Sequence, residues 1–288
     1  MNNTFNIKRF GSLLRKDFLE NGSRYLLQFL AMFGIMTIIL TWASSYAYQH
    51  AYSYVLDGGE TYYSLNGLNR ELLTTAIIMF LIFGALMAST LMEPMNNKIK
   101  RVAYLINPSS DFEKILSRWL IVTFGYGISF FIALWFADAI RVAICSVSFP
   151  DIDIRFLDLS KMIAKPESKF YEYVFSAKYF FGACLGFYFL MQSLFILGST
   201  FWERMSFIKT FSAGIIIVLL FLFLCNWAIQ IGYDDNSNQF SNVMDSFGSE
   251  KAEDQIFFII TGVFGLFTVA NWVLAFLRFR ESEIIKRL

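Results

Sequence analysis

The side chains able to carry out chemistry are few and far apart. The only histidine, His50, excludes a site built on two histidine ligands and leaves a histidine-based triad one candidate. It stands among Tyr46, Tyr48, Tyr52 and Tyr54, a belt of the kind found at a membrane-water boundary, and reads as an interfacial residue. Cys145, Cys184 and Cys225 have no CxxC spacing and lie in or beside apolar runs, where a thiol acts as a small hydrophobe. No disulfide framework or metal site follows, and no catalytic residue or cofactor is expected. The phosphate-loop pattern GxxxxGK followed by Ser or Thr is also missing, so any ATP hydrolysis belongs to a separate subunit.

Two groups of charged residues stand out. Asp138 and Arg141 lie three residues apart on one helix face near the end of an apolar block, a spacing that allows them to pair. They read either as a structural pair whose arginine reaches the headgroups or as part of a substrate path or gate. The other group runs from Glu93 to Lys114. Pro94 ends one helix, a basic amphipathic segment follows from Asn96 to Ile106, Pro108 breaks it, and Ser110 with Glu113 has the spacing of a capping box. A short helix held across the ends of two spans acts as a lever; the alternative is a solvated basic turn that only sets topology.

The elements that position these residues follow from composition. With 56% hydrophobic, 19% aromatic and 16% charged residues and a mean hydropathy of +0.51, the chain is not built for water, and its net charge of +1 gives no general attraction for nucleic acid. Six apolar blocks, Tyr25 to Ser44, Leu72 to Met92, Trp119 to Ile140, Tyr179 to Gly198, Phe211 to Ile231 and Ile256 to Leu277, each run 20 to 22 residues, and Asp138 is the only charged side chain inside them. That length crosses about 30 Å of hydrocarbon as a helix. The blocks lack the alternation of barrel strands, so the fold class is all-α: a polytopic membrane protein with six transmembrane helices.

Lys and Arg are split 16 to eight in favour of the side that carries both chain ends, which places both termini in the cytoplasm of a cytoplasmic (inner) membrane protein. The first block is too long for a cleaved signal core and reads as an uncleaved span. Ahead of it, Phe10, Leu13, Leu14 and Phe18 alternate with Lys8, Arg9, Arg15 and Lys16 as an interfacial amphipathic helix, with Asn21-Gly22 as the turn into the first span. The whole chain, 1–288, forms a single transmembrane domain: an amphipathic helix within 1–24, six spans over 25–277 and a cytoplasmic tail at 278–288. The loop from Ala143 to Ala177 has room for a short amphipathic helix, and Gly232 to Gln255 reads as an acidic solvated loop. Gly182 with Gly186, and Gly84 with Ala88, permit close helix crossings within the chain or at a dimer face.

In the Glu93–Lys114 loop, the run Leu105-Ile106-Asn107-Pro108-Ser109-Ser110 followed by Phe112-Glu113-Lys114 resembles the corresponding loop in membrane subunits of exporter-type ATP-binding-cassette (ABC) transporters, commonly Leu-x-x-Pro-x-Ser-x-x-Glu-Lys. The resemblance covers the six-span layout, the N-terminal helix and about twenty residues of detail. It implies a permease subunit that contacts a separate ATPase through Lys98, Lys100, Arg101, Tyr104, Pro108, Ser110, Glu113 and Lys114, with a homodimer or sibling permease as the other partner. The sequence departs from many relatives at Gly232 to Gln255, which is polar and acidic where they have an apolar re-entrant segment. A membrane anchor or scaffold with no transport activity is the alternative. An intramembrane enzyme finds no paired carboxylates or histidine in the spans.

Overall fold

Backbone amides surrounded by lipid have only one another as partners, so apolar blocks of this length close into helices. The fold comes from a computed structural model that describes residues 5–56, 67–96, 98–106, 108–150, 152, 154–163, 174–175, 178–202, 204–233 and 250–285. The helices are α1 (Ile7–Leu56), α2 (Leu68–Ser89), α3 (Lys98–Ile106), α4 (Asp111–Leu120), α5 (Tyr126–Ser148), α6 (Lys178–Phe201), α7 (Ser206–Tyr233) and α8 (Glu250–Ile285). No strand occurs among the described residues. Among the described residues six helical stretches are long and apolar enough to cross a membrane, the pattern of a multi-pass membrane protein: Ile7–His50, Leu68–Met95, Asp111–Ser148, Tyr179–Phe201, Ser206–Leu224 and Gln255–Glu281.

The N-terminal element differs from the expected one. Residues 7 to 56 form one unbroken helix of 50 residues, with no turn at Asn21-Gly22. The Asn21 side-chain amide donates to the Asp17 carbonyl at 3.2 Å, and the Phe18 and Tyr25 rings meet edge to face across this stretch at 5.9 Å. A glycine inside a helix costs about 1 kcal/mol relative to alanine, less than a break that strands backbone groups at two new ends. Of the amphipathic stripe, Leu13 is buried while Phe18 is half exposed.

The chain divides into two compact units, residues 1–87 with 108–178 and residues 88–107 with 179–288. In the first, α1 packs along α4 and α5. Its buried row steps by four residues through Met32, Met36, Leu40, Ser44 and Tyr48, while α5 buries Tyr126, Phe130, Ala133, Leu134, Ala137, Asp138, Arg141 and Cys145. Ser44, Ala133 and Ala137 are fully buried, and such small side chains let two backbones approach closely. Between α4 and α5 the helix widens into a π turn, Ile121–Gly125. The buried row advances by four from Glu113 to Ser117 to Ile121, then by five to Tyr126, so the extra residue keeps the polar row of α4 and the apolar row of α5 on one side. Tyr126 fixes this wide turn by donating its hydroxyl to the Phe80 carbonyl of α2 at 2.7 Å.

In the second unit, small residues again set the helix crossings. Gly182 and Gly186 of α6 face Thr261 and Phe264 of α8, with Phe264 3.4 Å from where a Gly186 side chain would begin, so this glycine pair serves packing within the chain. Buried Asn271 donates to Ser193 at 3.0 Å, an interhelical bond of the kind worth roughly 0.6 kcal/mol in a membrane. Helix α7 is apolar all round, and its run from Ile215 to Leu224 is exposed along its length, as expected of a helix surrounded by lipid.

Candidate functional site

The site at the amino-terminal end of the first unit grows from two helix starts. Ser110 caps α4: its hydroxyl accepts the Glu113 N–H at 3.3 Å, and the Glu113 carboxylate accepts the Ser110 N–H at 3.0 Å, closing the capping box. Asn6 plays the same part for α1, its side-chain oxygen accepting the Lys8 N–H at 3.0 Å. The two caps share one acid. The Asn6 N–H donates to Glu113 Oε1 at 2.8 Å, so a single carboxylate sits at the positive ends of two helix dipoles.

Arg9 completes this arrangement with two parallel bonds, Nε to Oε2 at 2.7 Å and Nη2 to Oε1 at 2.8 Å. Glu113 is fully buried and accepts four donors, three of them from two residues, Asn6 and Arg9, more than 100 positions away in sequence. It lies ahead of the apolar block that begins at Trp119. The Arg9 guanidinium, helped by the Asn6 and Ser110 N–H groups, overrides the effect of burial and holds its pKa down at about 2.

One to two turns further on, a second ion pair ties the same helices. Arg118 of α4 lies 3.6 Å from Asp17 of α1, and both are largely buried. Burial dominates at Asp17 and pushes its carboxyl pKa up, with Arg118 opposing; its Oδ2 has no hydrogen-bond partner. The first pair is therefore fully satisfied and the second only in part. Lys114 is buried beside Asp111 at 3.8 Å. Outside the clamp, Phe5 packs against Phe10 and Phe112 at 5.5 and 6.4 Å, and Phe5, Ile7 and Phe112 remain at least half exposed.

The chain matches no family model, no characterised protein and no solved structure.

Of the eight residues expected in the loop, Pro108, Ser110, Glu113 and Lys114 belong to the first unit and Lys98, Lys100, Arg101 and Tyr104 to the second. Pro108 is exposed at the break before α4. In the second unit, Arg101 donates Nε and Nη2 to the Met95 carbonyl at 3.0 and 2.7 Å, closing the turn that enters α3. Tyr104 meets the buried Phe279 ring of α8 edge to face at 6.2 Å, which leaves Ile99, Val102 and Ile106 as an exposed apolar stripe on α3. The Lys98 and Lys100 side chains lie outside the described residues, as do Asn107 and most of the acidic loop from Gly232 to Gln255.

The second charged group lies at the opposite end of the first unit. Arg141 Nε donates to Asp138 Oδ1 at 2.6 Å, and both residues are buried. Arg141 also reaches the Tyr48 hydroxyl at 3.4 Å and the Arg155 carbonyl at 2.7 Å, while Asp138 Oδ2 accepts the Leu157 N–H at 2.8 Å. Each charge thus has a partner besides the other, as burial at membrane depth demands.

Sequence reasoning identified Ser110, Glu113 and the Asp138/Arg141 pair but not Asn6, Arg9, Asp17, Arg118 or Tyr48. A signal existed for some of them. Asn6 precedes an amphipathic run as a helix cap does, and Arg9 with Asp17 on one helix is answered by Glu113 with Arg118 on another.

Proposed function

We propose that this protein is the permease subunit of an ABC transporter, forming a substrate pathway across the cytoplasmic membrane and driven by a separate ATPase subunit. The observation that carries the reading is the shared acid. Glu113 joins the starts of α1 and α4, and each of these runs on, as α1 or through the π turn into α5, across the membrane. A push on either helix start is carried into the first and third spans together. The exposed cluster of Phe5, Ile7 and Phe112 supplies a surface on which a cytoplasmic partner can push, and α3 offers a second in Ile99, Val102 and Ile106.

In this mechanism ATP closes two nucleotide-binding subunits, their movement displaces the loop around Tyr104 to Glu113, and the attached spans tilt so that the pathway opens to alternate sides. The partner must bind one arrangement better than the other for the work to be done. Two membrane subunits, identical or sibling, form the assembly, and the Lys and Arg excess supports a cytoplasmic position for the joined helix starts. Extraction in mild detergents with a tag at the C-terminus should recover an ATPase subunit with this chain. Recovery of the chain without an ATPase in several detergents would overturn the proposal. A scaffold reading is favoured by the exposed Phe5–Phe112 surface alone, since that surface needs no pathway behind it.

A further inference from the structure

The Asp138/Arg141 pair does more than neutralise itself. Its outward-facing bonds go to the Arg155 carbonyl and the Leu157 N–H, the backbone groups on either side of Phe156. Immediately afterwards Asp158 exchanges two bonds with Asn69 of α2: its N–H donates to Oδ1 at 2.9 Å, and its carbonyl accepts Nδ2 at 3.3 Å. Asp158 also caps the short turn Leu159–Met162. Non-helical backbone is thus fixed directly to two spans, α5 and α2, and through the Arg141–Tyr48 bond to α1.

The depth of that attachment follows from the sequence. Tyr48 lies one helical turn beyond the end of the first apolar block at Ser44, Asn69 one turn before the second begins at Leu72, and Asp138 and Arg141 flank Ile140, where the third ends. The three anchors therefore meet at a single level, the hydrocarbon edge of the leaflet away from the chain ends. Irregular backbone is tolerated at such a level only where its polar groups are satisfied, which the buried ion pair provides. Phe156 and Leu159 nevertheless remain 61% and 47% exposed. Trp42, Tyr46 and Trp135, on α1 and α5 near the same ends, are exposed too, and aromatic rings gather at this boundary in membrane proteins.

We propose that residues 154–159 form a strap lying in the membrane interface, with Phe156 and Leu159 set into the lipid of the leaflet away from the chain ends and the Asp138/Arg141 pair acting as its docking post. The inference rests on the six-span architecture and not on the transport reading. Lipid is the occupant because the exposed side chains lie at the hydrocarbon edge, beside an aromatic belt.

The test places a nitroxide at Phe156→Cys in the full chain with Cys145, Cys184 and Cys225 replaced by alanine, reconstituted in phosphatidylcholine vesicles. Relaxation by oxygen, which concentrates in lipid, is compared with relaxation by a water-soluble nickel chelate; labels at Trp135→Cys and Lys161→Cys supply lipid and loop references. Oxygen should dominate at 156 as at 135. Adding Asp138→Asn, which weakens the post, should move 156 towards the loop value. Dominance of nickel at 156, or protection from both reagents as if protein covered the site, would overturn the proposal, and the first measurement decides even if Asp138→Asn fails to fold.

Discussion

At the scale of residues, the two ion pairs between α1 and α4 differ in kind. Breaking a buried carboxylate that accepts four hydrogen bonds leaves several donors unsatisfied, each costing about 1–3 kcal/mol, so Glu113 has little freedom to move. A carboxyl whose folded pKa lies below its unfolded value stabilises the fold above the unfolded pKa and loses that contribution as pH falls through the folded one. For Glu113 the window runs from the ordinary 4.5 down to about 2. Arg9→Met should therefore destabilise the detergent-solubilised protein equally at pH 7 and pH 5, and the difference from wild type should shrink below pH 4. Thermal unfolding of both proteins across that range checks it; a difference that fades between pH 7 and 5 would mean that the Glu113 carboxyl is held above its ordinary value instead of below it. Asp17, shifted upwards by burial, works in the opposite sense and is the weaker fastening.

At the scale of elements, the spans were legible because lipid imposes one requirement, an uninterrupted apolar length, and the sequence states it openly. The capping box was equally legible, since Ser110 and Glu113 are three residues apart and need no distant partner. Arg9 was not. It bonds to a residue 104 positions away, and one chain carries no record of such pairings. Asn21-Gly22 has the local propensity of a turn, but the cooperative gain of continuing the helix outweighs it, and that gain is not written in the two residues themselves. Glycines separate in the same way. A methyl group on Gly198 would collide with Thr210, whereas one on Gly214 meets nothing within 4 Å. Gly198→Ala should cost roughly 1–3 kcal/mol through overpacking of α6 against α7. Gly214→Ala, a control in an open helix, should be neutral or stabilising by up to about 1 kcal/mol. Unfolding temperatures in detergent compare the two; equal effects would show that α6 and α7 do not approach at Gly198.

At the scale of the whole molecule, the first unit is fastened at both ends. Glu113 and Arg9 hold the chain-terminal side, and Asp138 and Arg141, with Tyr48 and Asn69, hold the far side. A bundle tied at two levels moves as a body, which suits a part that passes on motion. The transport account stands or falls on coupling across the inner fastening. Its most direct test is ATP turnover and substrate movement by the co-extracted complex in liposomes, wild type beside Arg9→Met, with candidate substrates screened on the wild type. The account predicts that wild type couples the two, and that Arg9→Met still inserts and still hydrolyses ATP but moves much less substrate per ATP. Equal transport per ATP in the two proteins would contradict it.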